Sequence, residues 1–250
     1  MFELLNVSKR FGNIEAIQTT NLVIPKGKTT VLIGPSGCGK STLLKLLIGI
    51  IFPDTGSVLF EKTPLTPKNC LHLRRKMGYV VQEGGLFPHL TAEQNISLMA
   101  RYLKLPKQEV RHRIHDLADM VQIPHDALTR YPAQLSGGQR QRISLMRALM
   151  LNPEVLLLDE PLGALDPMIR ADLQEDLRNI FQRLKKTVVM VTHDMGEAAY
   201  FADTIILMRE GYVVQQGSFA ELATHPAEDF VSQFIRAQRV ATLSLLEEQK

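Results

Sequence analysis

One loop restricts what this chain can fold into more than any other part of its sequence. The loop reads Gly34-Pro35-Ser36-Gly37-Cys38-Gly39-Lys40-Ser41 and fits the pattern G-x-x-x-x-G-K-[ST]. A β-branched run at residues 29–33 precedes it and predicts a strand, whereas apolar residues at helical spacing from 41 to 50 predict a helix. The chain must therefore pass directly from a strand through a glycine loop into a helix.

The residue types of this loop suit a phosphate ligand. Its glycines let the backbone wrap, so that successive N–H groups and the positive end of the following helix point at phosphate oxygens. Lys40 adds a positive charge for the β- and γ-phosphates, and the Ser41 hydroxyl can ligate magnesium. The alternative is a glycine turn that merely joins a strand to a helix. The residues predicted to bind ATP and Mg²⁺ here are Gly34, Pro35, Ser36, Gly37, Cys38, Gly39, Lys40, Ser41 and Thr42.

Two carboxylates follow the apolar run at residues 155–158. Such a run predicts a buried parallel strand, and doubly wound sheets bind ligands at the carboxyl ends of their strands. Asp159 is predicted to hold magnesium, directly or through water, and Glu160 to act as the general base for the attacking water. An acidic pair that ends a strand is elsewhere a solvated turn or a helix cap. The phosphate loop in the same chain favours the catalytic interpretation.

The order of the predicted elements indicates an α/β fold. Alternating strands and helices predict a parallel sheet covered on both faces. Together with the loop at residues 34–41, this order resembles a P-loop NTPase (RecA-like) core. Residues 1–30 alternate like short antiparallel strands and predict an N-terminal β subdomain. Lys40 and Asp159 are too far apart for one helix to connect them, so the mostly helical residues 88–152 are predicted to form an inserted subdomain. The domain then spans residues 1–236, and residues 237–250 form a short tail.

Composition excludes several classes of protein. With 45% hydrophobic and 22% charged residues, the chain is not expected to be disordered or fibrous. The sequence lacks a run of about 20 apolar residues and the pattern of a secretory signal, so we expect a cytoplasmic protein without a membrane span. Cys38 and Cys70 lack the spacing of a zinc site or a disulfide framework. A net charge of +3 without long basic runs predicts no nucleic-acid partner.

A second loop suited to anions precedes Asp159. Leu135-Ser136-Gly137-Gly138-Gln139 opens a helix predicted over residues 140–151, so a serine, two glycines and a helix N-terminus come together. A Ser-Gly-Gly sequence is also a common helix start. With this pentapeptide after the phosphate loop, the sequence resembles the ATP-binding cassette (ABC) ATPases, whose signature it is. The resemblance extends from residue 2 to about residue 236.

The resemblance implies an active site shared between subunits. In the family, the signature loop of one subunit closes on the γ-phosphate held by another, in a head-to-tail dimer. It therefore implies nucleotide contacts for Ser136, Gly137, Gly138 and Gln139 across that interface. Asp166 matches the loop that crosses the interface, and it is equally explained as the cap of the next helix.

Three further positions match family residues that act on ATP. Phe11 matches the aromatic ring that stacks on adenine, although a core aromatic in a strand is the alternative. Gln82 matches the glutamine that senses magnesium and the attacking water, an assignment that rests on register alone. His193 matches the switch histidine at the γ-phosphate, whereas a lone histidine at a strand end is usually structural. The implied catalytic residues are Glu160, His193 and Gln82, and the implied magnesium ligands are Ser41, Gln82 and Asp159.

Residues 83–89 match the loop that touches a membrane partner in the family. The leading hypothesis is the energy-coupling ATPase of an importer, which works with transmembrane permease subunits and, indirectly, with a substrate-binding protein. It places the chain peripherally at the cytoplasmic face of the cell membrane. Residues 86–91, 159–167 and 229–235 are most similar to the ATPases of importers for osmoprotectants such as glycine betaine, choline and proline.

Three alternatives remain open. One is an importer ATPase for another small solute, such as an amino acid. Another is a soluble cassette ATPase in DNA repair, translation or iron–sulfur assembly, although those that act on DNA or ribosomes usually carry a long coiled coil or two cassettes. The last is a nucleotide-binding regulator that does not turn over, and the presence of both Glu160 and His193 argues against it.

Overall fold

The structure is a computed structural model that describes residues 1–82, 84–163 and 165–247, with side chains as far as residue 238. Two compact units divide the chain. One unit joins Met1–Pro67 to the segment from Val189 onward, and the other is Lys68–Val188. The second unit is therefore inserted into the sequence of the first, and it contains the residues 88–152 for which the sequence predicts an inserted helical subdomain.

The helices and strands of the first unit flank those of the second along the chain. The first unit begins with β1 (Phe2–Phe11), β2 (Ile14–Ile24), β3 (Thr29–Ile33), α1 (Lys40–Leu47), β4 (Thr55–Phe60) and β5 (Thr63–Pro64). The second unit contains α2 (Cys70–Arg74), β6 (Met77–Val80), α3 (Ala92–Tyr102), α4 (Lys107–Met120), short 3₁₀ helices at His125–Thr129 and Pro132–Gln134, α5 (Gly137–Leu149), β7 (Val155–Asp159) and α6 (Pro167–Leu184). The boundary between the units falls within β8 (Thr187–Val191), and the chain continues with α7 (Met195–Phe201), β9 (Thr204–Arg209), β10 (Tyr212–Gly217), α8 (Phe219–Thr224) and α9 (Asp229–Glu247). Within the described residues, none of these helices has the length and hydropathy of a membrane span.

The first unit contains an antiparallel sheet near the N-terminus of the chain. The sheet has the order β2-β1-β4-β5, and Phe2 of β1 lies opposite Ile24 of β2 and Phe60 of β4. The rings of Phe2 and Phe60 pack with their centroids 5.1 Å apart, and both side chains are fully buried. The predicted antiparallel strands are thus confirmed, and the burial of these two rings stabilises the sheet.

Strand β3 leads to the phosphate loop and is buried along its whole length. It pairs in parallel with β9, where Val31 lies opposite Ile205. Gly34 follows β3 and has a φ of 151°, and a Cβ added there would lie 2.1 Å from the carbonyl oxygen of Met208 in β9. Only glycine fits at this point, because any side chain would clash with the neighbouring backbone. The strand therefore turns into the loop at a position that the packing of β9 determines.

The second unit combines a pair of parallel strands with several helices. β6 pairs in parallel with β7, and Tyr79 lies opposite Leu157. All five residues of β7 are buried. α3 begins with a capping box, in which the Thr91 hydroxyl accepts a hydrogen bond from the Gln94 N–H and the Gln94 side chain accepts one from the Thr91 N–H. Buried parallel strands together with helices confirm the predicted α/β class.

Candidate nucleotide-binding site

The phosphate loop ends at the N-terminus of α1, in the first unit. The N-cap residue is Gly39, with φ 105° and ψ 1°, so this helix end has no capping side chain of its own. A Cβ added to Gly39 would lie 2.4 Å from the carbonyl oxygen of Ala16, and no larger residue fits. The first N–H groups of a helix need acceptors, and a helix start without a cap suits an anion.

Lys40 is the first residue of α1 and is only 6% exposed. Its Nζ donates hydrogen bonds to the carbonyl oxygens of Gly34 and Pro35, at 2.7 and 3.0 Å. The positive charge is thus held within the loop, beside the positive end of α1. The Sγ of Cys38 lies 3.8 Å from the same Nζ, and burial raises the pKa of this thiol although the Lys40 charge opposes the shift. Cys38 therefore stays protonated at neutral pH and acts as a packing group.

The two predicted carboxylates lie at the end of β7, in the second unit. Asp159 is buried, and Glu160 has a left-handed backbone with φ 47°, which is uncommon for a residue with a side chain. The Nε2 of Gln82 donates a hydrogen bond of 3.3 Å to Oε2 of Glu160. The glutamine assigned by register thus lies beside the predicted general base. Strained backbone of this kind concentrates at functional sites, and the pair can orient a water molecule.

Tyr79 belongs to the same group, although no sequence pattern singles it out. It lies opposite Leu157, so its side chain shares a face with Asp159, which is two residues further along β7. Its hydroxyl donates a hydrogen bond to the Asp159 carboxylate, and burial, with the nearby negative charge, raises the pKa of Tyr79 to about 12. The hydroxyl is therefore protonated at neutral pH and can hold Asp159 in place. One sequence cannot reveal this contact, because it depends on the register between β6 and β7.

The signature loop forms the N-terminus of α5, also in the second unit. α5 begins at Gly137, three residues earlier than predicted, and Ser136 is its N-cap. The Ser136 hydroxyl accepts a hydrogen bond from the Gln139 N–H at 3.2 Å, and Oε1 of Gln139 accepts one from the Ser136 N–H at 3.0 Å. A Cβ added to Gly138 would lie 2.8 Å from Cγ2 of Ile169 in α6. Gly138 therefore allows the two helices to approach closely.

Comparison with known proteins decides the family. The family model described as ABC transporter matches residues 17–163. The chain belongs to the ABC transporter family. The cassette is 43% identical over 241 residues to the glycine betaine/carnitine/choline transport ATP-binding protein OpuCA of Bacillus subtilis (strain 168). This match covers 96% of this chain and 63% of that protein. It is 45% identical over 230 residues to the sulfate/thiosulfate import ATP-binding protein CysA of Gloeobacter violaceus. This second match covers 92% of this chain and 66% of that protein. This chain thus spans less than two thirds of the length of either relative.

A solved structure has the same fold. It is the dimeric, post-hydrolysis state of the ATP-binding cassette MJ0796 bound to ADP and Pi, with a TM-score of 0.79 and 33% sequence identity. The match covers 87% of this chain and 98% of that one. At this similarity, the predicted P-loop NTPase fold of the cassette is confirmed.

Asp166 and His193 of the cassette are exposed, each next to a helix or strand end. Asp166 caps α6, because its Oδ1 accepts a hydrogen bond from the Ile169 N–H at 3.0 Å, and its role at an interface stays a prediction. His193 follows Thr192, whose hydroxyl donates a hydrogen bond of 2.5 Å to a carboxylate oxygen of Glu197. Thr192 and Glu197 are both buried, so they hold the backbone beside His193. The sequence pattern does not single out this pair, although its threonine and glutamate lie only five positions apart.

Phe11 is half exposed, at 50%. The alternative of a core aromatic residue is therefore wrong, and the ring surface is available for stacking. The Lys9 Nζ lies 5.5 Å from the ring centroid, at the distance of a cation–π contact.

The predicted residues divide between the two units. The first unit contains Phe11, residues 34–42 and His193, and the second contains Gln82, residues 136–139, Asp159, Glu160 and Asp166. Within the second unit, the structure brings Gln82 to Glu160. Glu83 and Ala164, which fall within predicted contact loops, and residues 248–250 of the tail lie outside the described residues.

A groove of about 550 Å³ is a second feature of the inserted unit. Large apolar side chains that line it are exposed, most of all Tyr102 at 74% and Leu71 at 70%. Phe87, from the loop predicted to touch a membrane partner, lines the same groove. We call this surface the apolar groove; its lining includes Leu71, Tyr79, Val81, Phe87, Met99 and Tyr102. A contiguous exposed apolar patch is typical of a site for a protein partner.

Proposed function

We propose that this chain is the ATP-hydrolysing subunit of a multi-subunit importer and acts as a head-to-tail pair at the cytoplasmic face of the cell membrane. The observation that carries the proposal is the hydrogen bond between Gln82 and Glu160 at the end of a buried strand. A glutamine beside a strand-terminal glutamate can hold a water molecule for attack on a phosphate. A regulator that binds nucleotide without hydrolysing it has no use for this pair.

The first unit supplies most of the nucleotide contacts in this proposal. The N-terminus of α1 and the Lys40 ammonium bind the β- and γ-phosphates, and Phe11 offers its ring to the adenine. This loop suits the phosphates of ATP because Gly39 provides no capping side chain and because Lys40 keeps its charge within the loop. Residues 34–42 thus form the phosphate-binding loop.

Three of the predicted residues offer oxygen donors for magnesium. The Ser41 hydroxyl, the Gln82 amide oxygen and the Asp159 carboxylate are the kind of ligands that Mg²⁺ prefers. Bound Mg²⁺ supplies positive charge that neutralises the β- and γ-phosphate oxygens. Tyr79 supports this task, because its hydroxyl keeps the Asp159 carboxylate in one orientation.

In the chemical step, Glu160 is the proton acceptor. Its carboxylate accepts the proton of the attacking water, which Gln82 orients through its amide. His193 is the proposed contact of the γ-phosphate. The buried pair of Thr192 and Glu197 supports that histidine by holding the backbone next to it.

A second copy of the chain completes the site. Residues 136–139 of one copy approach the γ-phosphate bound by the other, and Asp166 lies at the interface between them. The dimeric state of MJ0796, bound to ADP and Pi, supports this arrangement. Two sites form in the pair, since each copy supplies one phosphate loop and one signature loop.

The apolar groove is the proposed site for a transmembrane permease subunit, through which a substrate-binding protein acts indirectly. The name of OpuCA favours an osmoprotectant with a quaternary ammonium group, such as glycine betaine or choline, as the solute. Proline is a further osmoprotectant that we propose as a candidate. The CysA relative, which is as similar in sequence, favours sulfate or thiosulfate as the second candidate. Both relatives are transport proteins by name, which argues against a soluble role in repair or translation. No nucleic-acid partner is proposed.

Uptake by membrane vesicles tests the proposal. Vesicles rebuilt with the chain and its co-purified permease receive ¹⁴C-labelled glycine betaine or ³⁵S-labelled sulfate, with the binding protein outside and ATP with Mg²⁺ inside. We expect uptake of glycine betaine only when ATP and Mg²⁺ are both present, and none with the Lys40→Ala variant. Uptake of sulfate but not of glycine betaine would change the proposed solute and leave the proposed role in an importer unchanged. Uptake that survives Lys40→Ala, or the absence of any permease in the purified complex, would overturn the coupling role.

A further inference from the structure

We propose that Arg147 and Ser144 of α5 are positioning residues that hold the backbone behind Gln82 and so tie the signature helix to the catalytic glutamine. Arg147 donates hydrogen bonds to the carbonyl oxygens of Gly84 and Gly85, and Ser144 donates one to that of Gly84; we call this set of contacts the carbonyl fork. The inference rests on the proposed function, because it takes Gln82 to act in hydrolysis and the apolar groove to receive the permease.

The carbonyl fork consists of three hydrogen bonds that α5 donates. Nη1 of Arg147 donates to the Gly85 oxygen at 2.8 Å, and Nη2 donates to the Gly84 oxygen at 2.8 Å. The Ser144 hydroxyl donates to the same Gly84 oxygen at 2.7 Å, and Ser144 is fully buried. Two adjacent carbonyl groups are therefore held by one planar guanidinium, whose fork geometry suits such a pair.

Arg147 is partly buried, and its hydrogen bonds hold it in place. Desolvation lowers the pKa of its guanidinium, which nevertheless remains charged at any physiological pH. Hydrogen bonds from a charged donor are stronger than those between neutral groups, so they can offset part of the loss of hydration. The position of Arg147 is therefore specific, because a shift of either carbonyl group would leave this partly buried charge with fewer acceptors.

The two glycines need such support. Both have left-handed backbones, with φ of 77° at Gly84 and 52° at Gly85. A Cβ added to Gly85 would lie 2.2 Å from Cγ2 of Val81, so a larger residue cannot replace it there. Glycine loses more conformational freedom on ordering than any other residue. Contacts from outside the loop therefore keep this segment in a single conformation.

The fork acts on Gln82 through a turn. The N–H of Gly84 donates a hydrogen bond of 3.0 Å to the carbonyl oxygen of Val81, and Gln82 lies between these two residues. The carbonyl group of Gly84 is the one that Arg147 and Ser144 both hold. Since the closing residue of the turn is fixed to α5, the side chain of Gln82 leaves the backbone from a defined point and reaches Glu160 at 3.3 Å.

The fork also borders the apolar groove. Val81, Gly85, Phe87 and Arg147 all line this groove, so a partner seated there touches the fork and the turn together. α5 carries Ser136 at its N-terminus, about 12 Å from Ser144 and about 16 Å from Arg147 at the rise of an α-helix. A partner that displaces the loop at Gly84 and Gly85 would therefore shift Gln82 relative to Glu160. The same displacement would act on α5, which carries Ser136 at its N-terminus.

Steady-state kinetics of the purified complex with its permease test this inference. The variants are Arg147→Ala, Arg147→Lys and Ser144→Ala, and kcat and KM for ATP are measured separately. We expect Arg147→Ala to lower kcat by about 10-fold and to leave KM within about 2-fold, because orientation of Gln82 affects the chemical step rather than ATP binding. Arg147→Lys should fall between, since an ammonium keeps the charge but not the fork.

Arg113 provides a matched control on the same helix bundle. Its Nη2 donates to the carbonyl oxygen of Leu149, at the other end of α5 from Ser136 and outside the fork. Arg113→Ala should leave kcat and KM unchanged. An unchanged kcat in Arg147→Ala, or a rise of KM alone, would overturn the inference. If Arg147→Ala fails to fold, as judged by circular dichroism, Arg147→Lys and Ser144→Ala decide by the same criterion.

Amide hydrogen exchange on the chain alone separates this inference from the proposed function. We expect faster exchange at residues 84–87 in Arg147→Lys and Ser144→Ala, with exchange within α5 unchanged. If the wild-type complex neither hydrolyses ATP nor takes up solute, the proposed function fails, and exchange still decides whether the fork holds the loop. Unchanged exchange at residues 84–87 would refute the fork whatever the activity.

Discussion

Two helices of this cassette begin at glycine-rich loops, and their N-termini are built differently. α1 has Gly39 at its N-cap and so no capping side chain of its own. α5 has Ser136 at its N-cap, and Ser136 and Gln139 cap each other through reciprocal hydrogen bonds. The N-terminus of α1 therefore suits a bound anion as its partner, whereas that of α5 is satisfied by its own side chains.

This difference implies an order of binding in the proposed function. Since no side chain caps α1, we expect one chain to bind the phosphates of ATP there by itself. A phosphate at α5 must compete with the Ser136 hydroxyl for the Gln139 N–H, so the signature loop engages only when a second copy presents the γ-phosphate closely. Gln139, the other residue of this capping box, is neutral and does not repel that phosphate.

Lys40→Ala should have the largest effect, because it removes the only cationic side chain of residues 34–42. We expect ATP binding to weaken and hydrolysis to fall by at least about 100-fold, as measured with a fluorescent nucleotide and a phosphate-release assay. Lys45→Ala, an exposed lysine on the same helix, is the control and should leave both values unchanged. Equal effects of the two substitutions would show that helix α1 matters only through its fold.

Glu160→Gln should separate binding at α1 from engagement of α5. The change keeps the shape of the side chain but removes the proton acceptor, so hydrolysis should fall by roughly 100-fold or more. ATP affinity should be retained, and the unhydrolysed ATP should hold two copies together. Analytical ultracentrifugation with and without ATP measures this dimer. A monomer in saturating ATP would contradict the proposed role of α5.

Ser136→Ala tests whether the self-capped helix end has a function beyond stability. Loss of an N-cap costs about 1 kcal/mol of folding free energy, which urea unfolding can measure. Ser218→Ala is a matched control, because Ser218 and Glu221 form the same capping box on α8. We expect both variants to lose similar stability and only Ser136→Ala to lose hydrolysis, by about 10-fold, with ATP binding to the single chain unchanged. Equal activity of the two variants would assign Ser136 to stability alone.

The smallest expected effect distinguishes the neutral cap of α5 from the charged cap of α8. Hydrogen bonds from Ser218 lower the pKa of the Glu221 carboxyl below its ordinary value of 4.5. A lowered folded-state pKa gives stability that is present above the unfolded value and is lost as pH falls through the folded one. Between about pH 6 and about pH 3, wild type should therefore lose slightly more stability than Glu221→Gln. Urea midpoints at the two pH values measure the difference, and identical losses would contradict it.

Most of the fold and several site residues could be predicted because the interactions that define them are local. The capping box of α3, the cap of α6 at Asp166 and the loop at residues 34–42 each depend on residues within a few positions of one another. Such patterns can be read directly from a sequence. The predicted start of α5 is three residues too late, because Gly137 and Gly138 are poor helix formers that the cap at Ser136 nevertheless brings into the helix.

We could predict the phosphate loop, the strand–loop–helix order and the acidic pair at Asp159 and Glu160 from the order of the amino acids. Three contacts became visible only in the folded chain: Gln82 with Glu160, Tyr79 with Asp159, and Arg147 with the turn behind Gln82. These contacts join residues more than 60 positions apart, such as Arg147 and Gly84. The physical reason is that strand register and helix packing place distant residues together, and neither is encoded in the spacing of nearby residues.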